Sequence, residues 1–292
     1  MTISSEGRQA ADASSASKDY AAGVAQHADA PLLRNPAKAT LESGGVVSCM
    51  SVKLLRSADA ARLAYAAGFD AIYIDMEHGV FDLSQVSQIC LTAYDIGLTA
   101  LVRCGVDHVS QVADAGAMGV IVPHVGTAEQ AREVVGLAKF PPEGIRGSVN
   151  RLPQMNFQMV AANRLHPAAN AAMLVAVMIE SKEALDNIDA IAGVNGVDML
   201  FVGANDLSAD LGIAGDYEHP AMVQALDTVL NAARVGKKSV GLGGLGSRPD
   251  LLKKYVDEGA SFVSVGADLS LFADAARASV QQFKLSILGS PD

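Results

Sequence analysis

The sequence predicts an α/β protein folded as a (β/α)8 TIM barrel, and three observations carry that prediction. From residue 45 onward, short runs of Val, Ile, Leu and Ala alternate with longer amphipathic stretches. Eight such runs can be counted, the number that closes this barrel. The runs are apolar on both faces, as parallel strands covered on each side must be.

The strand candidates, in order, are 45–50 (GVVSCM), 70–75 (DAIYID), 98–103 (LTALVR), 119–123 (GVIVP), 173–180 (MLVAVMIE), 198–203 (DMLFVG), 239–242 (SVGL) and 262–266 (FVSVG). Between them lie helical patterns such as SADAARLAYAAG, TAEQAREVVGLAKF and SRPDLLKKYVDEG. Several end in Gly, a common helix stop, and Thr127 stands where an N-cap belongs. A doubly wound open sheet is the main rival. Against it, no GxGxxG follows the first strand, and no GxxxxGK[ST] occurs anywhere. The connection at 140–172 is longer than the rest, with PPEGIRG and an Asn/Met/Gln-rich stretch. Loops of that length are often lids or oligomer contacts. Residues 31–43 read as a short docking helix. Residues 1–30, rich in Ala, Ser and Asp, have too few large apolar side chains to offset their ordering entropy. They are expected to be a disordered tail, leaving 31–292 as one barrel domain.

Composition excludes whole classes. The chain of 292 residues carries a net charge of −10, against any broad nucleic-acid or anionic-membrane surface. No apolar run reaches the roughly 18 residues of a membrane span, and the N-terminus has no basic-then-apolar signal pattern. The three cysteines, 49, 90 and 104, are too few and too unevenly spaced for a disulfide framework or a Cys-based zinc site. A reducing cytoplasm is the expected location.

Function is sought just past each strand, because a barrel builds its active site at the C-terminal strand ends. Strand two ends in Asp75-Met76-Glu77-His78, strand three in Arg103, strand four in Pro123-His124, strand five in Glu180, and strand six in Gly203-Ala204-Asn205-Asp206. Glu180 and Asp206 end adjacent strands. Two close carboxylates raise each other's pKa unless a cation sits between them. Two oxygen ligands suit Mg²⁺ or Mn²⁺ that keeps waters or takes substrate oxygens. The plainer alternative is a pair of acids capping the following helices. Arg103 could hold a carboxylate, enolate or phosphate, or could simply pair with Asp75 or Glu77. His78, three residues after Asp75, could be a general base oriented by that carboxylate, or a helix-starting histidine without a role. His124 is a further candidate. Gly241, Gly243, Gly244 and Gly246 could cradle a phosphate or permit close packing. Lys53 and Lys182 lie near strand ends, but neither is embedded in an apolar strand as a Schiff-base lysine usually is.

The segments GFDAIYIDMEHG, LVR, DAGAMGVIVPHV, FPPEGIRG, VMIES and GVDMLFVGANDLSADLG follow one another in the order of the HpcH/HpaI aldolase family, which the chain resembles from about 45 to 275. The resemblance extends to the phosphoenolpyruvate-binding barrel group with the citrate lyase β subunit. It implies a class II aldolase that cleaves or forms 4-hydroxy-2-oxoacids through a pyruvate enolate and an aldehyde. It implies a divalent metal, Mg²⁺ or Mn²⁺ first and Co²⁺ or Zn²⁺ next, on Glu180 and Asp206. It implies Arg103 on the pyruvate keto oxygen, His78 backed by Asp75 as the acid–base pair, and the Ala204–Asn205–Asp206 backbone as the carboxylate seat. It also implies a homo-oligomer, a hexamer built as a trimer of dimers that exchange a C-terminal helix near 268–287. Three departures stand out. Ala204 replaces a frequent proline, Met178 replaces a frequent glutamine beside substrate, and the chain has no Trp where many members carry one after strand one. All three fall where substrate is shaped. An acyl-CoA lyase of the citrate lyase type, an oxaloacetate-type decarboxylase and a non-catalytic pyruvate-binding barrel are the alternatives.

Overall fold

A computed structural model describes residues 31–288, and in it eight parallel strands close a barrel in chain order. They are β1 (Val47–Val52), β2 (Ala71–Asp75), β3 (Thr99–Arg103), β4 (Gly119–Val122), β5 (Leu174–Ile179), β6 (Met199–Gly203), β7 (Ser239–Gly243) and β8 (Phe262–Ala267). Each overlaps one predicted run. From Leu33 on, the described residues form one compact unit; the expectation for residues 1–30 lies outside them.

Side chains alternate across a strand, so each strand feeds two cores. Inside the barrel, Cys49, Tyr73, Leu101, Ile121, Met178 and Phe201 belong to one buried cluster. Outward-facing residues such as Ile72, Val102, Val177 and Val202 pack against the helices in a second, larger one. The helices start where the chemistry says they should. Asp82 and Thr127 each accept the N–H three residues on, and Gln85 and Gln130 reach back to complete capping boxes. All three cysteines are buried and free. The long connection resolves into a single turn at Pro153–Met155 and a helix at Ala162–Ala172.

The two ends of the barrel differ. The short helix Pro36–Glu42 closes the N-terminal end, where Asn35 bonds the Met118 and Ala172 carbonyls. The last helix, Asp268–Phe283, buries only Asp268 and leaves Leu269, Phe272, Val280 and Phe283 more than half exposed. A helix normally hides one apolar stripe against something. No helix among the described residues is long and apolar enough to cross a membrane.

Candidate active site

Strand register assembles the site. Asp75 and Arg103 are direct partners across β2 and β3. The Arg103 guanidinium grips the Asp75 carboxylate with two parallel bonds, Nε to Oδ1 at 2.9 Å and Nη2 to Oδ2. Its Nη1 lies 3.2 Å from Glu77 Oε2. Both plain pairings weighed for Arg103 are therefore realised. Of the five guanidinium N–H groups, these contacts engage three, and the rest are available to the cavity that Arg103 lines. Asp75 has no exposed surface and also accepts the main-chain N–H of Glu77 and His78, each at 3.1 Å. Burial pushes its carboxyl up, yet the Arg103 bonds and charge, the His78 N–H and Lys53 outweigh that and hold it below its ordinary value.

This geometry changes the expected role of Asp75. It holds the backbone of His78 and the side chain of Arg103. The His78 imidazole is half exposed, with Nε2 3.9 Å from Glu77.

Glu180, one residue past β5, stands against the end of β6. A Cβ on Gly203 would lie 2.9 Å from Glu180 Oε2 and 2.9 Å from Met178 Cε, so this close approach requires glycine. Burial pushes the Glu180 carboxyl above its usual range, the His124 N–H and ring oppose that, and the negative charges of Asp206 and Glu77 add to the rise. Neither acid is a helix cap. Ser181 caps the helix after β5, and Gly203 occupies the N-cap of the helix Ala204–Asp210, with Asp206 in its first turn.

His124 joins the acids. Its backbone is left-handed, with φ 59°, an uncommon conformation for a residue with a side chain. Its main-chain N–H donates to Glu180 Oε1 at 2.7 Å, and its ring places Nδ1 3.1 Å from Glu180 and Nε2 3.0 Å from Glu77.

A cavity of about 380 Å³ opens at this end, lined in part by His78, Arg103, Met178, Ala204, Asn205 and Asp206. Asp75 backs Arg103, and Glu180 lies against Gly203 in the wall. The structure thus brings every predicted site residue to one mouth. Gly243, Gly244 and Gly246 also line it, but close packing explains the glycines. Added Cβ atoms at Gly241 and Gly243 would strike the Phe201 ring, and one at Gly246 would meet the Val265 carbonyl oxygen at 2.3 Å. Sequence reasoning missed Ser51, Tyr73 and Ser264, which line the floor, and gave Lys53 no role in the cavity. The signal was available: Ser51, Tyr73 and Ser264 continue the inward-facing phase of their strands.

The donor set fits a divalent cation. Glu180 is buried among like charges, and a cation would neutralise that crowding. Among the described residues no group of three or more His, Cys, Asp or Glu is arranged to hold a metal ion by itself. A cation held by two carboxylates must complete its shell with water or substrate oxygens, which suits a hard ion such as Mg²⁺ or Mn²⁺.

An eight-stranded barrel with acids and an arginine converging on a small polar cavity at its C-terminal mouth defines a barrel enzyme acting on a small acid. Residues 53–275 match the family described as HpcH/HpaI aldolase/citrate lyase. The chain is 38% identical over 240 residues to the 4-hydroxy-4-methyl-2-oxoglutarate aldolase cghB of Chaetomium globosum, covering 80% of this chain and 89% of that one. It is 35% identical to the 4-hydroxy-2-oxo-heptane-1,7-dioate aldolase of Salmonella arizonae, covering 78% and 87%. The crystal structure of an HpcH/HpaI aldolase from Desulfitobacterium hafniense superposes with a TM-score of 0.79 at 29% identity, covering 85% of this chain and 96% of that one. The chain belongs to the HpcH/HpaI aldolase/citrate lyase family, and it is an aldolase, a carbon–carbon lyase.

Proposed function

We propose that this aldolase is metal-dependent and cleaves or forms 4-hydroxy-2-oxoacids through the enolate of pyruvate and an aldehyde. The observation that carries this is the convergence of Glu180, Asp206 and Arg103 at one end of the barrel. The names of the relatives, both 4-hydroxy-2-oxoacid aldolases, support it.

In the cleavage direction the C4 hydroxyl loses its proton and the C3–C4 bonding pair moves into an enolate. The aldehyde leaves, and the enolate takes a proton at C3 to become pyruvate. Arg103, held rigid by Asp75 and Glu77, presents its remaining N–H groups to the keto oxygen where negative charge develops. His78 at the cavity edge exchanges the proton of the C4 hydroxyl, with Asp75 fixing its backbone. The main-chain N–H groups of Ala204, Asn205 and Asp206 seat the carboxylate, and Met178 forms an apolar wall beside it. A divalent cation on Glu180 and Asp206, Mg²⁺ or Mn²⁺ with Co²⁺ or Zn²⁺ as substitutes, supplies Lewis-acid stabilisation of the enolate. A homo-oligomer, a hexamer whose subunits exchange the helix Asp268–Phe283, is supported by the apolar face that this helix leaves exposed. The three free thiols fit a cytoplasmic setting.

The test is exchange of the pyruvate C3 protons into D₂O, followed by NMR, with EDTA and with Mg²⁺ or Mn²⁺ restored. Exchange that stops in EDTA and returns with metal is the expected result. Absence of exchange with every metal overturns the pyruvate-enolate chemistry.

A further inference from the structure

His124 has no part in the chemistry above, yet its backbone is held in the left-handed region, at φ 59°. That conformation is unfavourable for a residue with a side chain and persists only where the surroundings fix it. Here they do. Pro123 and Val125 on either side are buried. The Gly126 N–H donates to Gln130 Oε1 at 2.7 Å, and the Gly126 carbonyl accepts from Asn187 Nδ2 at 2.9 Å. A Cβ on Gly126 would lie 2.5 Å from Glu183 Oε2, so the loop is packed hard against the helix Lys182–Asp186. Backbone strain maintained in this way clusters at functional sites.

The strained residue meets one carboxylate oxygen twice. Its main-chain N–H donates to Glu180 Oε1 at 2.7 Å, and its ring Nδ1 lies 3.1 Å from the same atom. Neither contact takes Oε2. That oxygen is turned to the end of β6, 2.9 Å from where a Cβ on Gly203 would stand, and Asp206 follows three residues later. The other ring nitrogen, Nε2, lies 3.0 Å from Glu77 Oε1, and Glu77 Oε2 lies 3.2 Å from Arg103 Nη1. A chain Arg103–Glu77–His124–Glu180 therefore runs along the wall of the mouth. The His124 side chain is 77% exposed, so burial does not hold the ring there; its two polar contacts do.

We propose, on the metal-dependent reading above, that His124 is a positioning residue for the cation. It pins Glu180 Oε1, so that Oε2 is the oxygen offered toward Asp206, and through Glu77 it fixes that carboxylate relative to Arg103. A carboxylate released from such contacts turns among several orientations, and only some of them suit the cation. Removing a group that hydrogen-bonds a metal-binding carboxylate from behind commonly weakens metal binding 10–100-fold. The link to Arg103 serves the same end, because charge developing on one substrate oxygen is stabilised only by groups already in place around it.

The test is binding of Mn²⁺ alone, read from the electron paramagnetic resonance signal of the free ion, at the site that Glu180→Ala removes. His124→Gly deletes the ring, keeps the main-chain N–H and adopts φ 59° without strain. It should bind Mn²⁺ there about tenfold or more weakly than the wild type. His124→Gln, which keeps one side-chain donor, should fall between the two, and it carries the comparison if glycine loosens the loop. Circular dichroism and thermal unfolding verify that each variant is folded. Mn²⁺ bound as tightly as in the wild type, or more tightly, by a folded variant without the ring overturns the role of His124 alone. A wild type with no Mn²⁺ site that depends on Glu180 overturns the metal-dependent reading, and the role of His124 with it.

Discussion

The two ends of this barrel solve the same problem in opposite ways. Each strand end exposes polar groups that must be satisfied. At the N-terminal end they are. Asn35 Nδ2 donates to the Met118 and Ala172 carbonyls at 2.8 and 2.7 Å, and Oδ1 accepts the Lys38 N–H and the Thr99 hydroxyl at 3.1 Å each. The Lys38 ammonium reaches the Met173 carbonyl at 2.8 Å and Asp198 at 3.0 Å. At the C-terminal end they are not: Glu180 is crowded by the negative charges of Asp206 and Glu77. Stability is stored at the closed end. Unspent interactions are kept at the open end, where substrate and metal would use them.

Breaking the open end should therefore remove function and spare the fold. Glu180→Ala or Asp206→Ala should lower turnover on the order of a thousandfold or more. In EDTA the unfolding temperature of either variant should equal or exceed that of the wild type, because like charges have been thinned. Calorimetry and aldol-cleavage assays check both halves, and a variant still active in chelator would sink the metal role. Arg103 sits where the two behaviours meet. Arg103→Ala should lower kcat by about 10²–10³. It should also cost about 3 kcal/mol in urea unfolding, because Asp75 remains buried with Lys53 as its one remaining cation beside two main-chain N–H groups. Activity within about threefold of wild type would remove Arg103 from the chemistry.

The contrast between the ends also explains what could be read from the sequence. Strand alternation was legible. The inward series Leu174, Ala176, Met178, Glu180 runs from barrel core to a carboxylate at the mouth, and Ala71, Tyr73, Asp75 does the same. A charged residue closing an apolar inward series has no use in the core, so Asp75, Arg103 and Glu180 stood out; Asp206 was reached by reading just past strand six, and it lies in the first turn of the next helix. What was hidden depended on contacts distant in sequence or on backbone shape. Lys53 is positioned by Asp268, 215 residues away, a pairing that no local pattern announces. His124 reaches Glu77 and Glu180 from a left-handed backbone that nothing in Pro-His-Val signals. Asp75 meets His78 at its main-chain N–H for a related reason. Spacing of three residues past a strand aims the carboxylate at the turn's own N–H groups and at the neighbouring strand.

Breaking the closed end should have the opposite outcome. Asn35→Ala removes four hydrogen bonds and should cost about 2 kcal/mol of stability in urea unfolding. The kcat of the folded enzyme should be unchanged. A fall in kcat at full folding would mean that the ends are coupled through the strands.

The smallest effect separates the ends by pH. Burial alone lifts the Asp75 carboxyl, but Arg103, the His78 N–H and Lys53 bring it below its ordinary 3.8. A carboxyl depressed in the folded state binds fewer protons there than in the unfolded chain. Its contribution is complete above the unfolded value and disappears as pH falls through the folded one. Asparagine at position 75 does not titrate. The wild type's advantage over Asp75→Asn in urea unfolding should therefore stay level from neutral pH down to about pH 4 and shrink below it. The deficit of Asn35→Ala should stay flat over the same range, because Asn35 carries no titratable group. An Asp75 advantage that persists undiminished well below its ordinary value, at the lowest pH where the fold survives, would mean that the Arg103 clamp does not contribute to stability through the charged carboxylate.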